Sequence, residues 1–158
     1  MLGNDAQGSR TVSGPHLLLY DGVCGLCHSL VQSVLDRDRL GVFHFASLQS
    51  PAATEQLARF GGSPSDLDTF VVIVNYRGEP SAQLTKARAA LFVLTAVGWP
   101  WRAAALLRVL PTALLDRTYD VISRNRYRIF GRRDRCLVPR PEYQRRFLDS
   151  ESDVVQRP

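Results

Sequence analysis

Lysine is almost missing from this chain: Lys86 is the only one among 20 basic residues, so arginine carries the net charge of +5. A preference that complete reads as genomic composition bias rather than as a binding signature. Long apolar runs are missing as well. The longest nearly uncharged stretch, Ala89 to Trp101, contains Thr95, Gly98 and Pro100. It falls short of the ~20 residues a spanning helix needs, so no transmembrane segment is expected. The N-terminus, Met1 to Pro15, lacks the apolar core of a secretory signal and reads as a small, polar, disordered leader. Cysteine is scarce, at three residues. With no export signal this points to a reducing, cytoplasmic setting, where a close cysteine pair serves catalysis or metal binding rather than a structural framework. The chain also has no phosphate-cradling glycine loop, no metalloprotease motif and no spacing that suggests a Ser-His-Asp triad; Gly61-Gly62 is a helix stop.

What is present is an ordinary globular composition, 45% hydrophobic and 22% charged over 158 residues, enough for one domain with a buried core. The expected division is a leader over 1–15, a single domain over 16–148 and a flexible tail over 149–158. Basic residues crowd the C-terminal third, with Arg124, Arg126, Arg128, Arg132, Arg133 and Arg135 close together. Charge alone is weakly specific, so a solvated surface with internal ion pairs is expected before an anionic partner, and nucleic acid is not expected.

Leu17 to Tyr20 is an apolar run ending at Asp21-Gly22, a buried strand and its turn. Leu26, Leu30, Val31, Val34 and Leu35 then recur at helical spacing, which predicts an amphipathic helix from about Cys24 to Asp38–Gly41. Val42 to Ala46 alternates as a second strand. Ser50-Pro51 opens a helix with a serine cap and proline in its first turn, running to about Phe60. Phe70 to Val74 is a β-branched strand, answered across a turn by a weaker one at Ala82 to Leu84. Helices follow from Thr85, over Trp101 to Leu110, from Pro111 to about Arg124, and near Glu142 to Phe147. The early βαβ unit implies a parallel pair and the later hairpin adds antiparallel strands. The expected fold class is α/β, a mixed sheet flanked by helices with additional C-terminal helices.

The chemistry concentrates in Asp21-Gly22-Val23-Cys24-Gly25-Leu26-Cys27. A C-x-x-C beside a βαβ pattern is the thioredoxin-like redox signature. Two intervening residues let the sulfurs meet across one helical turn. A helix N-terminus favours an anion at Cys24, and the thiolate is the attacking species. Cys24 is therefore expected as the exposed nucleophile and Cys27 as the resolving thiol. His28, one turn on, either tunes the thiolate or is a partly exposed histidine without a role. Asp21 either holds Cys24 less acidic or accepts the proton of Cys27 during exchange, or is a turn or capping aspartate. Zinc would need a second ligand pair; Cys136 and one of His16, His28 or His44 would have to converge from afar. Cys136 is otherwise a buried small side chain or a third redox thiol.

Tyr20 to Cys27, with Arg37-Asp38 and Phe43-His44-Phe45-Ala46-Ser47-Leu48-Gln49-Ser50, resembles the DCC family of predicted thiol–disulfide oxidoreductases. Its Asp-x-x-Cys-x-x-Cys motif falls here on Asp21, Cys24 and Cys27. The likeness continues through Tyr119-Asp120, Arg124 to Arg128, Phe130-Gly131-Arg132 and Cys136, covering Leu17 to Phe147. It implies a thioredoxin-like domain, brings Asp21 and Cys136 into the family pattern, and suggests that the Arg124–Gly131 segment docks on the body of the fold or shapes a partner surface. Thioredoxins proper place a cis-proline just before the strand facing the redox pair; here Leu67-Asp68-Thr69 stand there and the nearest proline is Pro64. Glutaredoxins often carry a lysine where Asp21 stands, so glutathione is not the expected partner. The function expected is dithiol–disulfide exchange with no cofactor or metal beyond the cysteines, acting on a protein or small-molecule disulfide and fed by a dithiol electron donor. The alternative is a non-catalytic binding module using the arginine-rich C-terminal surface.

Overall fold

The computed structural model describes residues 14–63, 70–97, 101–132 and 139–149. Cys136, the segment 64–69 with Pro64, and most of the expected leader and tail lie outside the described residues. The strands are β1 (His16–Tyr20), β2 (Phe43–Ser47), β3 (Val71–Val74) and β4 (Ala82–Thr85). The α-helices are α1 (Gly25–Arg37), α2 (Pro51–Ala58), α3 (Lys86–Val97) and α4 (Thr112–Phe130), with 3-10 segments at Trp101–Val109 and Pro141–Arg146.

The strands form one sheet in the order β2-β1-β3-β4. β1 pairs parallel with β2 and antiparallel with β3, and β3 pairs antiparallel with β4. This is the mixed α/β sheet the sequence implied, and it is consistent with a thioredoxin-like fold. β1 is central and buried along its whole length, which is why it reads as a continuous apolar run rather than an alternating one. Leu18 and Tyr20 face one layer, with Val31 and Val34 of α1 and Val93 of α3. Leu17 and Leu19 face the other, with Ala53 and Leu57 of α2.

Local signals explain most element ends. The Ser50 side chain accepts from the Ala53 N–H at 3.2 Å, capping α2 just ahead of Pro51. Asp38 closes α1 and accepts from the Val42 and Phe43 N–H groups at 3.3 and 2.8 Å, fixing the turn into β2. The Arg146 guanidinium pairs with Asp38, and its Nε donates to the Phe43 carbonyl at 2.9 Å. Phe147 then stacks on Phe45 with ring centroids 5.1 Å apart. The last described segment is thus anchored under β2. Lys86, the lone lysine, bridges to Asp120 at 3.1 Å and ties α3 to α4. No helix among the described residues is long and apolar enough to cross a membrane.

One expected boundary moves. α4 runs on past Arg124 to Phe130 and stops at Gly131, whose φ of 76° suits glycine. The added turns carry Arg126 and Tyr127 to the end of β1.

Candidate active site at the start of helix α1

β1 ends at Tyr20, the chain turns through Asp21-Gly22-Val23, and Cys24 takes the N-cap position of α1 with extended backbone. The Cys24 N–H donates to the Asp21 carbonyl at 3.2 Å, which closes the turn. Cys27 lies on the buried face of the first helical turn. Both cysteines are free thiols. Burial, then the charge and hydrogen bond of neighbouring Cys24, push the Cys27 thiol up to about 12. The Asp21 N–H and the Arg126 charge act the other way and are outweighed. Cys27 therefore keeps its proton at neutral pH.

The exposed nucleophile expected at Cys24 is corrected by the structure: Cys24 is 0% exposed and Cys27 6%. The cause is the end of α4. Arg132 forms an isolated antiparallel bridge with Cys24, and the Gly25 N–H donates to the Gly131 carbonyl at 3.4 Å. A Cβ on Gly25 would stand 2.5 Å from the Phe130 carbonyl oxygen. The glycine inside the C-x-x-C is what lets this backbone strap lie against Cys24 and Gly25.

Asp21 is the hub of the site. Its Oδ1 accepts from the Val23 N–H at 3.1 Å and from Gln49 Nε2 at 3.2 Å. Its Oδ2 accepts from Arg126 Nη2 at 3.0 Å and from the Tyr127 hydroxyl. Burial alone would raise the Asp21 carboxyl. The hydrogen bonds of Tyr127, Val23 and Gln49 and the charge of Arg126 more than offset it, holding the group below its ordinary value. With two donors on each oxygen, the acceptor capacity of the carboxylate is taken up, which fits a positioning residue better than a proton acceptor. Arg126 is held more basic in turn: burial opposes this, and Tyr127 and Asp21 overcome it. Gln49 extends the network by accepting from the Gly22 N–H at 3.2 Å and from the Ser47 hydroxyl.

His28 is buried rather than partly exposed. Its Nε2 lies 2.6 Å from the Gly22 carbonyl, which can only accept, so Nε2 carries the proton. The ring meets Tyr20 edge-on at 6.4 Å. His16 and His44 lie on β1 and β2, and no cluster of three or more His, Cys, Asp or Glu suited to a metal occurs among the described residues. The structure thus gathers Asp21, Cys24, Cys27 and His28, while Cys136 lies outside the described residues.

Arg126, Tyr127 and Gln49 escaped assignment from sequence alone. Gln49 stands within the family-like Phe43–Ser50 run, which assigns it no role of its own. Arg126 had a readable signal: Tyr119, Ser123 and Arg126 follow one another at helical spacing along the packed face of α4, the arginine standing where an apolar residue belongs. A charge in such a stripe asks for a buried partner, and Asp21 is that partner.

Comparison with known proteins agrees with this geometry. A family model described as DCC1-like thiol-disulfide oxidoreductase matches residues 18–132, from β1 to the strap over Cys24. The "Uncharacterized protein YuxK" of Bacillus subtilis (strain 168) is 38% identical over 133 residues, 84% of this chain and 93% of its own. The "DCC family protein At1g52590, chloroplastic" of Arabidopsis thaliana is 35% identical over 121 residues, 76% of this chain and 67% of its own. No solved structure matches the chain. The chain belongs to the DCC1-like thiol-disulfide oxidoreductase family.

Proposed function

We propose that the protein is a thiol–disulfide oxidoreductase working through Cys24 and Cys27. The observation that carries this reading is the pair itself: two free thiols at the first turn of a buried helix, with Cys27 holding its proton beside Cys24. The attacking role then falls to Cys24, where the helix N-terminus favours negative charge. Its sulfur attacks one sulfur of a substrate disulfide and expels the other as a thiolate, which takes up a proton. Cys27 gives its proton to solvent and attacks the Cys24 sulfur of the mixed disulfide, expelling the second thiolate. The substrate is reduced to two thiols, the pair is oxidised to one disulfide, and a dithiol donor restores it. No cofactor takes part. Asp21, Arg126 and Tyr127 position the turn that carries Cys24, and His28 holds the Gly22 carbonyl.

Exchange also requires the strap of residues 130–132 to move, because a fully buried sulfur admits no substrate. In a dithiol-driven exchange assay, Cys24→Ser abolishes turnover. Cys27→Ser traps a mixed disulfide on Cys24 that mass spectrometry detects. Full turnover by the Cys24→Ser variant would refute the scheme.

A binding role draws support from the outer face of α4, where Val121, Ile129 and Phe130 are exposed beside Arg124 and Arg128. A partner docked there would lie next to the strap. Binding that survives Cys24→Ser and weakens with salt separates this role from exchange.

A further inference from the structure

A cleft of about 350 Å³ opens between α1, α3 and α4, and its wall includes Cys27. That volume is at the lower end of the roughly 300–1,000 Å³ typical of small-molecule sites. The remaining wall is mainly apolar, with Leu30, Phe70, Leu94 and Ile122 among it. Among the described residues of the wall, Arg126 is the one side chain that carries full charge at neutral pH, and it is paired with Asp21. Ser29 and Ile122, both exposed, stand at the mouth. The described wall is therefore mainly apolar, its one cation is paired, and it includes Cys27 of the redox pair.

Resting on the oxidoreductase reading above, we infer that this cleft seats the apolar arm of a small, uncharged disulfide or thiol, and that such compounds are the substrate class of the pair. A charged peptide-like disulfide gains nothing from such a wall and loses its hydration, whereas each buried methylene of an alkyl arm favours binding. Cys24 and Cys27 lie within hydrogen-bonding reach of each other, so an arm seated beside Cys27 holds its sulfur next to the pair for attack by Cys24 once the strap lifts. For a dialkyl disulfide R–S–S–R, the Cys24 thiolate forms a Cys24–S–S–R bond and expels R–S⁻, and Cys27 is the second cysteine. The second cysteine loses its proton, closes the Cys24–Cys27 disulfide and expels the second R–S⁻. Two thiols are oxidised, one disulfide is reduced, and the two R–S⁻ take up the two protons released.

The test uses the full-length reduced protein with two unstrained, neutral disulfides, di-n-propyl disulfide and bis(2-hydroxyethyl) disulfide. The expected result is faster oxidation of the pair by the propyl compound, by about tenfold or more at equal concentration. Ala90→Trp, which fills the cleft, should bring that ratio close to one while leaving the hydroxyethyl rate in place. Ile122→Asn at the exposed mouth should lower the ratio in the same direction without a change in the core. Equal rates for the two compounds in the wild-type protein would overturn the inference and leave the oxidoreductase reading intact. So would a propyl preference unaffected by both variants, or reduction of a protein disulfide such as insulin with no propyl preference. Exchange with no disulfide at all would overturn both readings.

Discussion

Asp21 shows how much one side chain can settle. Its side chain is only 7% exposed and that of Arg126 10%, so each depends on the other for the solvation both have lost. Replacing it by asparagine leaves the guanidinium buried without its counter-charge, which for buried pairs costs about 3–5 kcal/mol. Tyr127→Phe removes one of several donors and keeps the pair, so about 1–2 kcal/mol is expected. Urea unfolding of the two variants should give that order of midpoints; equal midpoints would mean that the carboxylate is solvated some other way. The same depressed carboxyl fixes a sign with pH. Its contribution is complete above the ordinary value of 3.8 and fades only as the pH falls through the lower folded value.

At the scale of elements, the junction between α1 and the end of α4 decides access to the sulfurs. Gly25→Ala would force a Cβ against the Phe130 and Gly131 carbonyl oxygens, and a backbone cannot rotate aside as a side chain does. Lifting the strap should raise the rate of Cys24 alkylation at least tenfold and cost about 1–3 kcal/mol of stability. An unchanged rate, measured by mass mapping, would show that the strap does not guard Cys24. The elements themselves were largely legible. The apolar run of β1, the helical spacing of Leu30, Val31 and Val34, the Ser50-Pro51 cap and the β-branched Val71 to Val74 each combine a local preference with burial, and the structure follows them. The length of α4 was not legible from periodicity, because its last turns carry arginines that read as a solvated surface with some internal ion pairs. The family resemblance alone suggested that the Arg124–Gly131 segment docks on the fold, as Arg126 does. Only the tertiary contact with Asp21 makes Arg126 a buried residue. For the same reason the burial of Cys24 could not be read: a helix N-terminus is open by itself, and the strap comes from more than a hundred residues away.

At the scale of the whole molecule, two histidines of the sheet, buried His16 and half-buried His44, link stability to pH. His16 is held below its ordinary 6.5 by burial, with Asp38 opposing, and its Nδ1 accepts the Asn75 N–H at 3.2 Å. His44 is lowered by burial and by the charges of Arg77 and Arg146, again against Asp38. Both rings are thus favoured neutral in the folded chain. The unfolded chain binds more protons as the pH drops below 6.5, so stability present above that value is lost as the pH falls through the folded values. The urea midpoint should be lower at pH 5.5 than at pH 7.5. A His16→Asn variant should narrow the difference, and an equal midpoint at both pH values would contradict the assignment.

The sheet, the helix α1 and the end of α4 all converge on one turn, and that turn leads into two thiols within hydrogen-bonding reach. The most direct measurement is a redox titration of the purified protein against a dithiol buffer, quenched by alkylation, with Cys24, Cys27 and Cys136 mapped by mass. Cys24 and Cys27 should oxidise together as a single reversible two-electron couple. A pair that stays reduced across the range, or that oxidises in separate steps with other partners, would contradict the assignment of the redox centre.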